Sequence, residues 1–334
     1  MKILVTGSAG FIGFHLIERL VNEGHHVFGV DSLNDYYDVN LKYDRLYKSG
    51  INLDSTVNGN WIISVKHSNY CFKKMDLSDK DLCINLFNSN LFEYVIHLAA
   101  QPGVRYSLEN PDAYIKSNIV AFLNILEGCR HAKIEKLLYA SSSSVYGKNT
   151  KVPFSEEDRV DNPISLYAAT KKSNELMANT YSHLFGFNTI GMRFFTVYGP
   201  WGRPDMAPML FANAAKNSDK IKVFNNGNQY RDFTYIDDIV NNIVPLLDAN
   251  LKDKSSVFNI GTGAPINLLD FISEIEKAYG KQLEKEFVGA QPGDVERTFA
   301  DTTKLAECIG EFPKKNIAEG VKSFITWFKD YYGE

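Results

Sequence analysis

Tyr167-Ala168-Ala169-Thr170-Lys171 sets a phenol and an ammonium four residues apart, on one face of a helix that runs on through Ser173, Glu175 and Leu176. A phenol with an ordinary pKa of about 10 is a poor base at neutral pH, but nearby positive charge favours the phenolate. Such a pair can remove a hydroxyl proton while hydride leaves the same carbon. The same spacing is common on exposed helix faces, so context has to decide between the two readings. Upstream, Ser141-Ser142-Ser143-Ser144 follows the apolar run Leu137 to Ala140. Hydroxyls at the carboxyl end of a parallel strand stand where active sites gather, although serines there also cap turns.

A second chemical group opens the chain. Gly7-Ser8-Ala9-Gly10-Phe11-Ile12-Gly13 lies between an apolar run, Ile3-Leu4-Val5, and an amphipathic stretch from Phe11 to Glu23. Glycines at that place let backbone approach a pyrophosphate at a helix N-terminus. The spacing is GxxGxxG. Asp31 ends the next apolar run, at the distance where an acidic side chain reaches ribose hydroxyls, with Ser32 and Asn34 just beyond it. Its charge would repel a 2′-phosphate, so the expected cofactor is NAD; a solvated strand end is the bland alternative for Asp31. Asp76-Leu77 is placed to face an adenine, and Leu98-Ala99-Ala100-Gln101 offers small residues where a dinucleotide crosses a sheet. Asn118 reads equally as an anchor for a neighbouring helix and as a buried structural asparagine.

These groups need elements to hold them. Short apolar runs (Ile3 to Val5, Val27 to Val30, Tyr94 to Leu98, Lys136 to Tyr139) alternate with amphipathic stretches, a pattern that predicts a parallel, doubly wound sheet. In the first such stretch Ile12, Leu16, Ile17, Leu20 and Val21 recur at helical spacing and Gly24 supplies the stop. The polar segment from Asn34 to Asn69 reads as an insertion over the cofactor mouth. The fold class expected is α/β: a Rossmann-type sheet over residues 1–190, then a smaller α/β substrate lobe over 191–334 with some chain crossing back to the sheet.

Composition bounds the partners. The chain has 334 residues, 44% hydrophobic and 23% charged, with a net charge of −4, which argues for a small-molecule partner rather than nucleic acid or an anionic membrane. Cys71, Cys83, Cys129 and Cys308 form no CxxC pair, so neither a zinc site nor a disulfide framework is expected, and a reducing cytoplasm fits. No apolar run approaches the roughly 20 residues needed to span a bilayer, and Met1 to Thr6 reads as a buried strand, so neither membrane insertion nor a signal peptide is expected. No His/Asp/Glu cluster suggests a metal, and His97 reads as a strand-end core residue.

Together the GxxGxxG turn, the serines before Val145-Tyr146-Gly147 and the YxxxK pair resemble the extended short-chain dehydrogenase/reductase superfamily, in its nucleotide-sugar branch, over essentially the whole chain. The resemblance implies Tyr167 as base and acid, Lys171 on the nicotinamide ribose and Ser142 assisting proton transfer, with Ser143 and Ser144 open to confusion by register. Dehydratases of the superfamily carry Asp-Glu where this chain has Ser143 and Ser144, and related decarboxylases keep a glutamate there. Without those carboxylates, elimination is disfavoured and epimerisation at C4 through a transient 4-keto sugar is expected.

Phe194-Phe195-Thr196-Val197-Tyr198-Gly199-Pro200-Trp201-Gly202-Arg203-Pro204-Asp205-Met206 and Gln101-Pro102-Gly103-Val104-Arg105-Tyr106-Ser107 resemble segments of the UDP-glucuronate 4-epimerases. That implies Thr196 and Arg203 on the substrate carboxylate, with Arg105 also near the substrate. A surface arginine in a Pro-Gly turn is the alternative for Arg203. A 4-keto uronic acid is a β-keto acid that loses CO2 when its carboxylate bond aligns with the carbonyl π-system, so a guanidinium clamp would also protect it. The run from Gly227 to Asp238, including Gln229, resembles a diphosphate-binding segment with Arg231 on the phosphates; Asp237 and Asp238 read as helix-positioning residues. Gln291 and Asp294 match a segment closing on the uridine ribose, and Lys222 joins the substrate candidates. Asn259 to Gly263 reads as structural. A homodimer through helices near 107–128 and 167–185 is implied by the resemblance alone. The competing readings are a UDP-glucose or UDP-N-acetylglucosamine 4-epimerase, a sugar-nucleotide lyase, and a non-catalytic NAD-sensing protein.

Overall fold

Eight strands form the main sheet. β1 (Lys2–Thr6), β2 (His26–Asp31), β3 (Ile62–Ile63), β4 (Tyr70–Lys74), β5 (Tyr94–His97), β6 (Lys136–Ser142) and β7 (Asn188–Phe194) are joined by the Ser255–Ile260 strand. The structure is a computed structural model and describes residues 1–53, 59–89, 92–289 and 296–333. Across the sheet the order is Ser255–Ile260, β7, β6, β5, β1, β2, β4, β3. All neighbours are parallel except β3 with β4. The chain builds outward from β1 in one direction and then in the other, so the strand order reverses between β1 and β5. Ligands bind outside the carboxyl ends of strands at such a point.

The strands are near-continuous apolar runs because helices cover both faces. Ile3, Leu4, Val5, Val95, Ile96, Leu137 and Leu138 are wholly buried. Helix α1 (Phe11–Asn22) buries Leu16, Ile17, Leu20 and Val21 against the sheet, and Gly24 follows its end with φ +83°. Ile12 departs from that set: it is half-buried and lines the cavity at the carboxyl ends of the strands. His97 is buried at the end of β5, its Nδ1 2.8 Å from the Thr6 hydroxyl. Burial pushes its pKa down to about 3, so the ring is neutral and serves the core.

The segment after β2 is more than a polar insertion. It carries helix α2 (Asn40–Lys48), whose Leu41, Arg45 and Leu46 are buried. The Arg45 guanidinium donates to the Ala9 carbonyl at 2.9 Å and to the Trp201 carbonyl at 2.6 Å, tying the glycine turn to the later Gly199–Asp205 turn. Beyond β7 the chain leaves the sheet, returns in the Ser255–Ile260 strand, and closes with the helices Leu268–Tyr279 and Ile317–Tyr332 packed on each other. β7 begins before residue 190 and ends after it. Asn259 binds the Tyr146 hydroxyl and the Phe154 and Asp301 carbonyls. Asp238, in the first turn of the helix Ile236–Ile243, accepts from the Lys315 amide. Among the described residues no helix is long and apolar enough to cross a membrane, no metal-binding cluster occurs, and the four cysteines are unpaired.

Candidate active site

A cavity of about 440 Å³, in the range of small-molecule sites, lies at the carboxyl ends of β1, β2, β4, β5 and β6. Gly7, Gly10, Phe11, Ile12 and Gly13 form its floor. Gly7 has φ +69°, and a Cβ there would stand 2.7 Å from the Ala99 amide nitrogen; a Cβ on Gly13 would stand 2.2 Å from the Gly7 carbonyl oxygen. Only glycine permits both. Gly10 caps α1 with no side-chain bond, so the first-turn amides are left for an anion. The cradle therefore fits a dinucleotide pyrophosphate.

Asp31, Ser32 and Asn34 line the same cavity, as do Asp76 and Leu77 after β4 and Leu98, Ala99 and Ala100 after β5. The Asp31 carboxylate also receives the amides of Ala9 at 3.2 Å and Leu33 at 2.8 Å, which fixes it at the end of β2. Asp76 caps its own turn through the Ser78 amide and pairs with Lys116 at 2.9 Å. Gln101 and Asn118 behave differently. Asn118 exchanges bonds with the Gln101 backbone at 2.7 and 3.1 Å and donates to Thr170, and neither residue lines the cavity. Their geometry pins the loop after β5 to the helix Leu166–Phe185, the structural role that stayed open for Asn118.

That helix is capped by Ser165, whose hydroxyl accepts the Ala168 amide at 3.1 Å. Tyr167, in the first turn of that helix, and Lys171, one turn later, both reach the cavity. Lys171 donates to the Ala140 carbonyl at 2.8 Å and lies 6.0 Å from the Tyr167 ring centre. Burial lowers its pKa to about 7. Burial raises that of Tyr167, and the bond to Ser142 works the other way. The depression of the phenol expected from its lysine is thus not delivered by the protein alone, because a lysine poised near neutrality carries only part of its charge.

Ser142, Ser143 and Ser144 all line the cavity. Ser142 caps the turn Ser143–Tyr146, accepting the Ser144 amide at 3.2 Å, and also bonds Tyr167, so both readings of the serines hold at one residue. No carboxylate stands there. Glu175, behind β6, is spent on Arg193 at 2.8 Å and on the Ser141 hydroxyl at 2.7 Å. Among the described residues the only lining carboxylates are Asp31 and Asp76, on the other side of β1 from β6.

Thr196, Arg203 and Arg231 complete the wall. Arg231 Nη1 donates to the Tyr230 and Glu296 carbonyls at 3.0 and 3.1 Å. Arg203 turns Nε and Nη2 to the two oxygens of Asp205, at 3.0 and 2.5 Å, and Asp205 also accepts the Tyr36 hydroxyl at 3.0 Å. Burial opposes the charge on Arg203, but Asp205 more than offsets it and the pKa is raised.

Three substrate candidates are placed elsewhere. Arg105 is exposed over the Phe224 ring at 5.2 Å, Lys222 points outward from the strand Ile221–Val223, and Gln229 is buried; none lines the cavity. Gln291 and Asp294 lie outside the described residues. Tyr36, Tyr37, Lys42, Gly103 and Met206 line the cavity without having been singled out. Met206 sits in the quoted turn, and Tyr36 and Lys42 sit in the segment expected over the mouth, so position pointed to them where residue type did not.

Comparison with known proteins agrees with this geometry. The family model described as "NAD dependent epimerase/dehydratase family" matches residues 3–261. Protein CapI of Staphylococcus aureus is 49% identical over 348 residues, covering 99% of each chain. UDP-glucuronate 4-epimerase 2 of Arabidopsis thaliana is 42% identical over 351 residues, covering 99% of this chain and 76% of that one. The UDP-glucuronic acid 4-epimerase of Bacillus cereus, solved in complex with UDP-glucuronic acid and NAD, superposes with a TM-score of 0.89 at 34% identity, covering 99% of this chain and 100% of that one.

Proposed function

Because this chain belongs to the NAD dependent epimerase/dehydratase family, we propose that it inverts C4 of UDP-glucuronate to give UDP-galacturonate through a transient 4-keto sugar. The observation that carries the reading is one cavity that joins the glycine cradle, the Tyr167–Ser142–Lys171 group and Arg203, with serines at 143 and 144.

The first-turn amides of α1 would hold the pyrophosphate, and Asp31 would take the adenosine ribose hydroxyls and repel a 2′-phosphate. NAD, when bound, supplies the acceptor and later the donor of the C4 hydride, and its positive ring favours the Tyr167 phenolate. Tyr167 takes the proton of the C4 hydroxyl, with Ser142 bonded to the same oxygen, and returns it after the sugar has turned. Lys171, held by the Ala140 carbonyl, would bond the nicotinamide ribose. While the sugar is docked on either face, Thr196 and Arg203 hold the uronate carboxylate away from alignment with the C4 carbonyl, which protects the β-keto acid from losing CO2. Ser143 and Ser144 leave the sugar no acid for elimination. Arg231 serves the diphosphate.

The division of labour proposed is cofactor binding by 1–190 and substrate binding by 191–334. The protein acts as a cytoplasmic homodimer supplying uronate donors for polysaccharide synthesis. The dimer is supported by exposed apolar side chains on the two candidate helices: Val120, Leu123, Leu176 and Leu184 are 41%, 41%, 57% and 63% exposed.

The test is incubation of the purified protein with UDP-glucuronate, UDP-glucose and UDP-N-acetylglucosamine, with products separated by isomer. UDP-galacturonate as the main product is expected, and Tyr167→Phe should bind UDP-glucuronate but turn it over at least about a thousandfold more slowly. A C4 isomer of a neutral sugar as the main product moves the reading to the UDP-glucose type. Lasting 4-keto sugar or CO2 moves it to a lyase, and no turnover on any sugar to an NAD sensor.

A further inference from the structure

Two segments far apart in the chain meet at Asp205. Its carboxylate receives two donors from Arg203 and the hydroxyl of Tyr36, which belongs to the segment after β2. Tyr36 is itself held. Its ring packs on Tyr106 with centres 4.9 Å apart, and its hydroxyl presses so close to the next loop that a Cβ on Gly103 would lie 2.6 Å from it. Gly103 has φ +97°, a conformation that suits glycine. The Arg203 and Asp205 side chains are 22% and 27% exposed, so the pair is partly dry, and of the two only Arg203 lines the cavity. Nη1 of Arg203 makes no bond to a described residue, which leaves one amino group of the guanidinium to face a ligand.

Inversion of a uronate at C4 imposes a demand that this arrangement meets, and the role assigned to Asp205 rests on that reaction. A cofactor fixed on one side of the sugar must serve both faces of C4, so the 4-keto sugar has to turn round within the pocket. The C5 carboxylate travels with it. A guanidinium that clamps the carboxylate must let go once in each turnover and would then stand in the wall without a counter-charge, which is costly in a partly dry site.

We propose that Asp205 is the exchange partner of Arg203, taking up the guanidinium while the uronate turns and yielding it when the carboxylate returns, with Tyr36 holding the Asp205 carboxylate in place. No covalent bond changes. Asp205 and Tyr36 act through Arg203, so they are positioning residues, and they make uronate turnover fast at some expense of uronate affinity. Burial favours the neutral acid at Asp205, but Arg203 outweighs it and holds the carboxyl below its usual range, so the exchange partner keeps its charge at neutral pH.

The test compares the parent, Asp205→Asn, Asp205→Glu and Tyr36→Phe. Turnover of UDP-glucuronate is measured alongside calorimetric affinity for UDP-glucuronate and for UDP, and 4-keto sugar is trapped with borohydride. An inactive parent overturns the function reading; an active one isolates the exchange proposal. Asp205→Asn frees the guanidinium for the substrate, so it should bind UDP-glucuronate about threefold to tenfold more tightly, leave UDP affinity unchanged, lower kcat by about tenfold and raise the trapped 4-keto sugar. Asp205→Glu should restore much of kcat. A merely structural defect would weaken affinity and kcat together, and that result, or no change in either, overturns the proposal. If Asp205→Asn does not fold, Tyr36→Phe decides: it should move affinity and kcat in the same opposed directions by a smaller factor, and unchanged values overturn the proposal.

Discussion

At the scale of single residues, the sharpest question concerns Arg203. Its place in a Pro-Gly turn allowed an idle surface arginine, yet it lines the cavity with Tyr167 and is paired with Asp205. Removing the guanidinium should leave the uronate carboxylate free to align with the C4 carbonyl. Arg203→Ala is therefore expected to lose about a hundredfold in kcat/KM on UDP-glucuronate and to release a larger share of 4-keto pentose, measured by product chromatography. Turnover and product ratio equal to the parent's would dismiss the clamp. Tyr167 and Lys171 show how far spacing alone carries: helical periodicity put them on one face, and they share the cavity. The expected lowering of the phenol did not follow from that spacing, because Lys171 is buried against the Ala140 carbonyl and its own pKa is brought down to about 7.

At the scale of elements, the turn between β1 and α1 is the most constrained. Gly13→Ala would put a methyl 2.2 Å from the Gly7 carbonyl oxygen, a backbone atom, so the turn itself would have to shift. The variant should purify with much less bound NAD and be destabilised by about 1–3 kcal/mol, read from cofactor released on denaturation and from urea midpoints. Full retention of NAD would show that the turn can move aside. The GxxGxxG spacing with flanking strand and helix was legible because all its parts lie within one short segment. The segment after β2 was not: its polar residues suggested a loop, whereas α2 is amphipathic over only two turns and buries Arg45 through bonds to Ala9 and Trp201. A buried arginine cannot be told from a surface one by pattern when its partners are backbone carbonyls elsewhere in the chain.

At the scale of the whole molecule, acid lability follows from two buried imidazoles. His15 bonds the Pro200 carbonyl at 2.9 Å, and burial lowers its pKa to about 4; burial takes His97 to about 3. Both are neutral when folded and charge freely when unfolded near pH 6.5. The unfolded chain therefore binds more protons as pH falls below that value, and stability declines, by up to roughly 3 kcal/mol per ring once the folded pKa is approached. Urea midpoints should drop steadily between about pH 6.5 and 5, above the range where carboxylates titrate. A flat profile across that window would mean the rings are protonated in the fold. The same scale governs which candidates reach the site. Arg105 and Gln229 share segments with residues of the cavity wall without lining it, and Lys222 stands on a short strand none of whose residues lines it, since side-chain direction within a turn or short strand is set by the packing of the lobe.

Read alone, the chain determined the doubly wound sheet, the dinucleotide turn, the preference for NAD at Asp31, the tyrosine–lysine pair and the want of carboxylates at Ser143 and Ser144. Each of these depends on residue type and on spacings of a few positions, which backbone periodicity converts directly into geometry. Tertiary structure alone decided that Asn118 braces a loop, that Lys171 is poised near neutrality, and that Arg203 meets Asp205 under the hydroxyl of a tyrosine 169 positions earlier. Those outcomes depend on which loops the sheet order brings together and on how much water the packing leaves around each charge, and neither is written in any short stretch of sequence.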